Sequence, residues 1–132
     1  MRLSLALAAL LVALAPAATA AATIPFRATL TAPTHSPPAD DKTKWRYTLR
    51  VTGLQGQPIR ATVTMQIVDP IGSVHPVEFD CCKRNIVNHP FTGVFREAAE
   101  WPPESRGFRL VLRAVVRAMG AKRIVVYWVR PR

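Results

Sequence analysis

Only two cysteines occur among the 132 residues, and they are neighbours, Cys81 and Cys82. A disulfide framework needs several separated cysteines, so that class of small secreted scaffold is excluded. Acidic residues are also scarce, 8 against 18 Lys and Arg. They lie scattered, which leaves little material for catalysis by paired carboxylates. The six glycines are never adjacent and make no phosphate-cradling loop. No His-Glu-x-x-His segment is present, and no apolar run approaches the ~20 residues that cross a bilayer. A chain this short has room for one domain and excludes an enzyme with a separate cofactor domain. Disorder is disfavoured, because 49% of the residues are hydrophobic.

What is present begins with an address. Met1-Arg2 is a short positive start, residues 3–15 are apolar apart from Ser4, and Ala18-Thr19-Ala20 has the small-x-small form that signal peptidase reads. This layout predicts a signal-peptide helix within residues 1–22, cleaved after Ala20 or Ala22. No cysteine follows the apolar run, which argues against a lipid-anchored start. The expectation is therefore a secreted or cell-envelope domain over residues 23–132, with no transmembrane anchor after cleavage. Loss of Arg2 leaves 17 basic against 8 acidic residues, a net charge of +9. Arg outnumbers Lys 14 to 4 beside many Ala and Pro residues, a composition that a GC-rich coding genome also produces.

Hydrophobic residues recur with period two, which marks half-buried strands. Residues 23–30 set Ile24, Phe26, Ala28 and Leu30 on one side. Residues 45–52 set Trp45, Tyr47, Leu49 and Val51 inward, and residues 60–68 set Ala61, Val63, Met65 and Ile67 inward. The loops between them carry Pro and Gly, as turns require. Weaker strands are read at 74–80, where Pro76 suits a sheet edge, and at 91–97. Trp101-Pro102-Pro103 reads as a crossing between strands. Residues 107–118 place Phe108, Leu110, Leu112, Ala114, Val116 and Ala118 at even positions. Arg106, Arg109, Arg113 and Arg117 also fit one helical stripe. The valines, the following Gly120-Ala121 turn and the β-rich IVVYWV segment favour a strand. Seven short strands predict an all-β chain, an antiparallel immunoglobulin-like β-sandwich.

The segments WRYTLRVTGLQGQPI, RATVTMQIV, WPPESRGFRL and RIVVYWV resemble those of small exported bacterial proteins with an immunoglobulin-like or fibronectin-III-like domain. The chain departs from antibody-type domains in lacking a separated cysteine pair and a Tyr two places before a Cys. The resemblance implies a module that binds, spaces or presents rather than catalyses.

Cys81 and Cys82 leave three readings open: a vicinal disulfide, thiols that stay reduced or pair between molecules, or metal ligands. Neighbouring Cα atoms sit ~3.8 Å apart, below the ordinary disulfide range, so a bridge between them staples no sheets. Lys83 and Arg84 favour a thiolate. His75 and His89 flank the pair as His75-x5-Cys81-Cys82-x6-His89 and are weak candidates for a soft or borderline ion. Ser73, His75 and Asp69 or Asp80 do not form a nucleophile elbow. No catalytic residue and no cofactor is assigned, and the expectation is a protein that is not an enzyme.

Charge asymmetry says more. After Glu104 there is no acidic residue but eight basic ones. A hairpin of residues 107–118 and 123–129 is expected to bury Phe108, Leu110, Leu112, Val116, Ile124, Val126 and Trp128. Its other face then mixes Arg109, Arg113, Arg117 and Arg123 with Val111, Val115, Val125 and Tyr127. Arg109, Arg113, Arg117, Arg123 and Tyr127 are the candidate binding residues, suited to an anionic envelope polymer or an acidic protein. The competing reading is that Arg stems simply cover the sheet. Export removes nucleic acid as a routine partner. The alternative function is a thiol- or metal-handling extracytoplasmic protein centred on Cys81 and Cys82.

Overall fold

The computed structural model describes residues 12–16 and 23–132. The leader expected over residues 1–22 lies outside the described residues except for 12–16, which carry no regular secondary structure. Among the described residues, no helix is long and apolar enough to cross a membrane.

Among the described residues, eight antiparallel strands form two sheets: β1 Phe26–Thr31, β2 Trp45–Gly53, β3 Arg60–Val68, β4 Val74–Pro76, β5 His89–Thr92, β6 Val94–Ala99, β7 Leu110–Ala118 and β8 Ala121–Val129. One sheet runs β1-β2-β6 and the other β4-β3-β7-β8, with β5 also on β3. The fold is a β-sandwich, as the alternation predicts. Trp45, Tyr47, Leu49 and Val51 of β2 are buried against Ala61, Val63 and Met65 of β3 and the even residues of β7. Trp101 closes one end, edge-on to Trp45 at 5.4 Å. A 3-10 turn, Pro103–Ser105, lies within the crossing from β6 to β7.

The eighth strand arises at Gly93. The segment read as one strand over 91–97 is two, β5 paired with β3 and β6 paired with β2, each in a different sheet. Gly93 has φ 74°, a left-handed value that other residues adopt at a cost. Its N–H donates to Ile59 O, its carbonyl accepts from Val51 N–H, and a Cβ there would meet Pro58 Cβ at 2.7 Å. The strand expected over 74–80 is also shorter, ending at Pro76. Beyond it, residues 77–86 make a small hairpin whose base is held by buried Val77 and Ile86 against the backbone of Met65.

The hairpin of β7 and β8 corrects one expectation. Its turn is Met119-Gly120, both residues at positive φ, rather than Gly120-Ala121. Ala118 pairs with Ala121, so every even residue of β7 meets an odd residue of β8. Leu110, Leu112, Ala114 and Val116 are buried as expected, but on β8 it is Arg123, Val125, Tyr127 and Val129 that turn inward. Ile124, Val126 and Trp128, expected in the core, are 50%, 58% and 41% exposed. Phe108 precedes β7 and is also exposed.

This register predicts that Val125→Asp costs about 2–3 kcal/mol in urea unfolding, while Val126→Asp stays within about 0.5 kcal/mol. Equal costs would contradict the pairing. Gly93→Ala is expected to lose about 2 kcal/mol or more, from the positive φ and the overlap with Pro58.

Candidate functional site

The outward face of the larger sheet is read directly from its register. Rows across β3, β7 and β8 run Val68–Val111–Trp128, Gln66–Arg113–Val126, Thr64–Val115–Ile124 and Thr62–Arg117–Lys122. Three of the five candidate binding residues belong to this face. Arg109 lies over the Trp128 ring with its guanidinium carbon 5.0 Å from the centroid, a cation–π arrangement. Arg113 donates from both Nε and Nη2 to Gln66 Oε1, at 2.9 and 2.7 Å, which fixes its side chain across two strands. Arg117 is exposed beside Lys122.

Arg123 and Tyr127 do not join them. Both sit on the inner side of β8, opposite Val116 and Leu112, because a two-residue turn pairs the even residues of β7 with the odd residues of β8. Arg123 Nε is buried without a hydrogen-bond partner among the described residues. Tyr127 stacks on His35 at 4.2 Å, and its hydroxyl donates to Ala32 O at 3.3 Å. Desolvation pushes its phenol above the usual range. Val125, expected outward, is half-buried on this same side.

His35 was not singled out by the sequence, where it is only a histidine in a proline-rich loop. Its ring stacks on Trp128 as well as Tyr127, and Nδ1–H donates to Trp128 O at 2.6 Å, which fixes the tautomer. Arg130 N–H donates to His35 O at 2.7 Å, and Arg132 N–H to Pro37 O at 3.0 Å. The loop thereby closes the last part of the β8 edge.

A second basic face emerges from the smaller sheet. Arg27, Arg46, Arg50 and Arg96 are exposed on its outer side among threonines. Register places Arg27, Arg50, Arg96 and Arg46 as successive diagonal neighbours, at a spacing of roughly 7–8 Å. The alternation of Arg and Thr was visible in the sequence; the diagonal required the strand pairing.

The two cysteines occupy the exposed tip of the 77–86 hairpin and are bonded to each other. The tip is tied down by Lys44, which bridges Asp80 and Glu100, and by Asp80 N–H donating to Glu97 Oε2 at 3.0 Å. The hydrogen bond from Lys44 holds the Asp80 carboxyl below its ordinary range, and Asp80 and then Glu100 raise Lys44. His75 Nε2 pairs with Asp69 Oδ2 at 2.8 Å, which lowers the Asp69 pKa, and Asp69 Oδ1 also accepts from Ile71 and Ser73 N–H. His89 lies edge-on to Phe79 at 4.9 Å. The candidate metal ligands are thus engaged elsewhere, and among the described residues no three His, Cys, Asp or Glu side chains gather as a metal group.

Beside Cys81 lies an open recess of about 500 Å³ lined by Arg46, Tyr47, Arg96 and Glu97 among others. The Tyr47 hydroxyl is buried with no hydrogen-bond partner among the described residues. Burial, with a smaller contribution from Glu97, pushes its phenol far above the usual tyrosine range.

No model of a known protein family matches the chain, and neither does any curated protein. A domain of the outer membrane lipoprotein Omp28 from Porphyromonas gingivalis is similar in structure at 13% identity and a TM-score of 0.44, over 83% of this chain and 99% of that one. That likeness is too distant to carry function.

The raised Tyr47 pKa sets a pH dependence. The folded protein keeps this proton while the unfolded chain releases it near pH 10, so stability is full below about pH 10 and falls above it. Tyr47→Phe is expected to flatten that alkaline loss and to raise stability at neutral pH by about 1 kcal/mol, since an unpaired buried hydroxyl is removed. Urea unfolding at both pH values checks it.

Proposed function

We propose that the chain is an exported, non-enzymatic binding module of the immunoglobulin- or fibronectin-III-like kind, acting in the cell envelope or outside the cell. Its ligand is an anionic envelope polymer or an acidic protein, and it binds on the outer face of β7 and β8. One observation carries this reading. Among the described residues, Lys44 is the one Lys or Arg whose side chain reaches a carboxylate, so the cations of this face have no acidic partner within the fold. Arg109, Arg113, Arg117 and Lys122 border the exposed Ile124, Val126 and Trp128. Charge of one sign around an exposed apolar strip suits a partner that is anionic and offers some apolar contact. Arg stems that only shield a sheet would cover the strip, whereas Arg113 is drawn across to Gln66 and Ile124 and Val126 stay half exposed or more.

A thiol-handling role is the second reading, favoured by the exposed Cys81–Cys82 disulfide beside basic Lys83 and Arg84.

The expected outcome is binding to polyglutamate or an anionic envelope fraction that weakens at least tenfold as salt rises from about 0.05 to 0.3 M. Replacing Arg109, Arg113 and Arg117 by Glu abolishes it; salt-insensitive binding, or none, would discard the reading. Cys81→Ser with Cys82→Ser leaves this binding intact and changes stability by only about 1 kcal/mol, because the bridge closes almost no chain. Loss of function in that double variant supports the thiol reading instead.

A further inference from the structure

The edge of β8 has a feature that a charged face alone does not require. In a hairpin closed by the Ala118–Ala121 pair around a two-residue turn, the odd residues of β8 exchange backbone hydrogen bonds with β7. The even residues point their N–H and C=O groups the other way, toward the open edge. Trp128 shows this directly, since its carbonyl is taken from that side by His35. Lys122, Ile124 and Val126 precede it on the same edge. β8 ends the sheet order, and among the described residues no backbone group pairs with these three. Sheet edges are ordinarily protected by a bulge, a proline, an inward charge or a covering loop. Here the covering loop stops at His35, and the open stretch carries two exposed β-branched side chains guarded by charge alone, Lys122 on the outer face and Arg123 turned inward.

We infer that this edge takes an added strand, an extended acidic segment of a partner protein that pairs with Lys122–Val126 of β8. This rests on the proposed anionic-partner reading and names its chemistry. A strand laid beside β8 would set alternate side chains on the outer face, next to Lys122, Ile124 and Val126, where apolar residues extend the exposed strip. Its intervening side chains would face the side of Arg123, a residue that no carboxylate among the described residues reaches. Acidic groups there and near Arg117 and Lys122 complement the basic charge along this edge. A second copy is disfavoured as the occupant, because edge-to-edge pairing would bring the Lys122, Arg117 and Arg113 rows of two strongly basic chains together. The open stretch accommodates about five residues, some 17 Å of strand at ~3.4 Å each.

The test uses an alternating valine–glutamate peptide, the same peptide N-methylated at alternate residues, and polyglutamate as a charge-only probe, titrated by calorimetry. N-methylation on the edge-facing residues removes the donors that pair with β8 but keeps every charge. The expected result is binding of the parent peptide that falls at least tenfold on N-methylation in that phase and is unchanged in the other. Val126→Pro, which deletes an edge-facing N–H not used by β7, gives the same loss while polyglutamate binding persists. Equal binding of the parent and both N-methylated peptides overturns strand addition and leaves the anionic-partner reading standing. Failure of both peptide and polyglutamate overturns the reading itself. Concentration-dependent self-association that the peptide displaces assigns the edge to a second copy and overturns the acidic occupant.

Discussion

Side chains of a strand alternate between faces, so the turn joining two strands decides which residues of the second strand meet the core. In this protein that constraint acts at Met119-Gly120. Two residues at positive φ make a tight connection whose twist matches that of the flanking strands. An odd number of turn residues would have turned Ile124, Val126 and Trp128 inward; the even number turns Arg123, Val125 and Tyr127 inward instead. Everything distinctive about the outer face follows from it: the exposed apolar strip, the arginine over Trp128 and the row of Arg117 beside Lys122.

The sandwich needs few other special devices. Gly93 passes the chain from one sheet to the other in a single residue, which lets β5 and β6 serve different sheets with no connecting loop. The 77–86 hairpin fills the gap along β3 between β4 and β5, and its buried Val77 and Ile86 extend the core past the strand ends. Three aromatic groups pack around Trp45, whose indole also donates to Thr34 O at 2.9 Å.

Much of this was legible in the residues themselves, for definite reasons. β2, β3 and β7 alternate without interruption between Gly- or Pro-bearing turns, so both their positions and their buried faces follow from period two. β8 does not alternate. Its IVVYWV core is apolar at every position, so either facing satisfies the hydrophobic pattern, and only the turn length distinguishes them. For the same reason the outward facing of Arg113 and Arg117 on β7, and of Arg109 just before it, is legible, while the inward facing of Arg123 and Tyr127 is not. The break at Gly93 looks like a glycine within a strand. Val77 and Ile86 sit in a segment with no period, and the stacking of His35 depends on a contact across some ninety residues.

The carboxylates carry a further consequence. Asp41, Glu78, Asp80 and Glu100 line one hollow, on the flank where β4 and the 77–86 hairpin lie. Lys44 and Lys83 answer part of that charge, whereas Arg113, Arg117 and Lys122 lie toward the other end of the sheet order, along β7 and β8, with no carboxylate in reach. Such a separation gives the molecule a permanent electric dipole across its width. In the field of an anionic surface a dipole experiences a torque before any contact is made, turning the β8 flank forward and the acidic hollow away. The molecule would thus arrive pre-oriented, at a rate that declines as dissolved ions shorten the reach of the field.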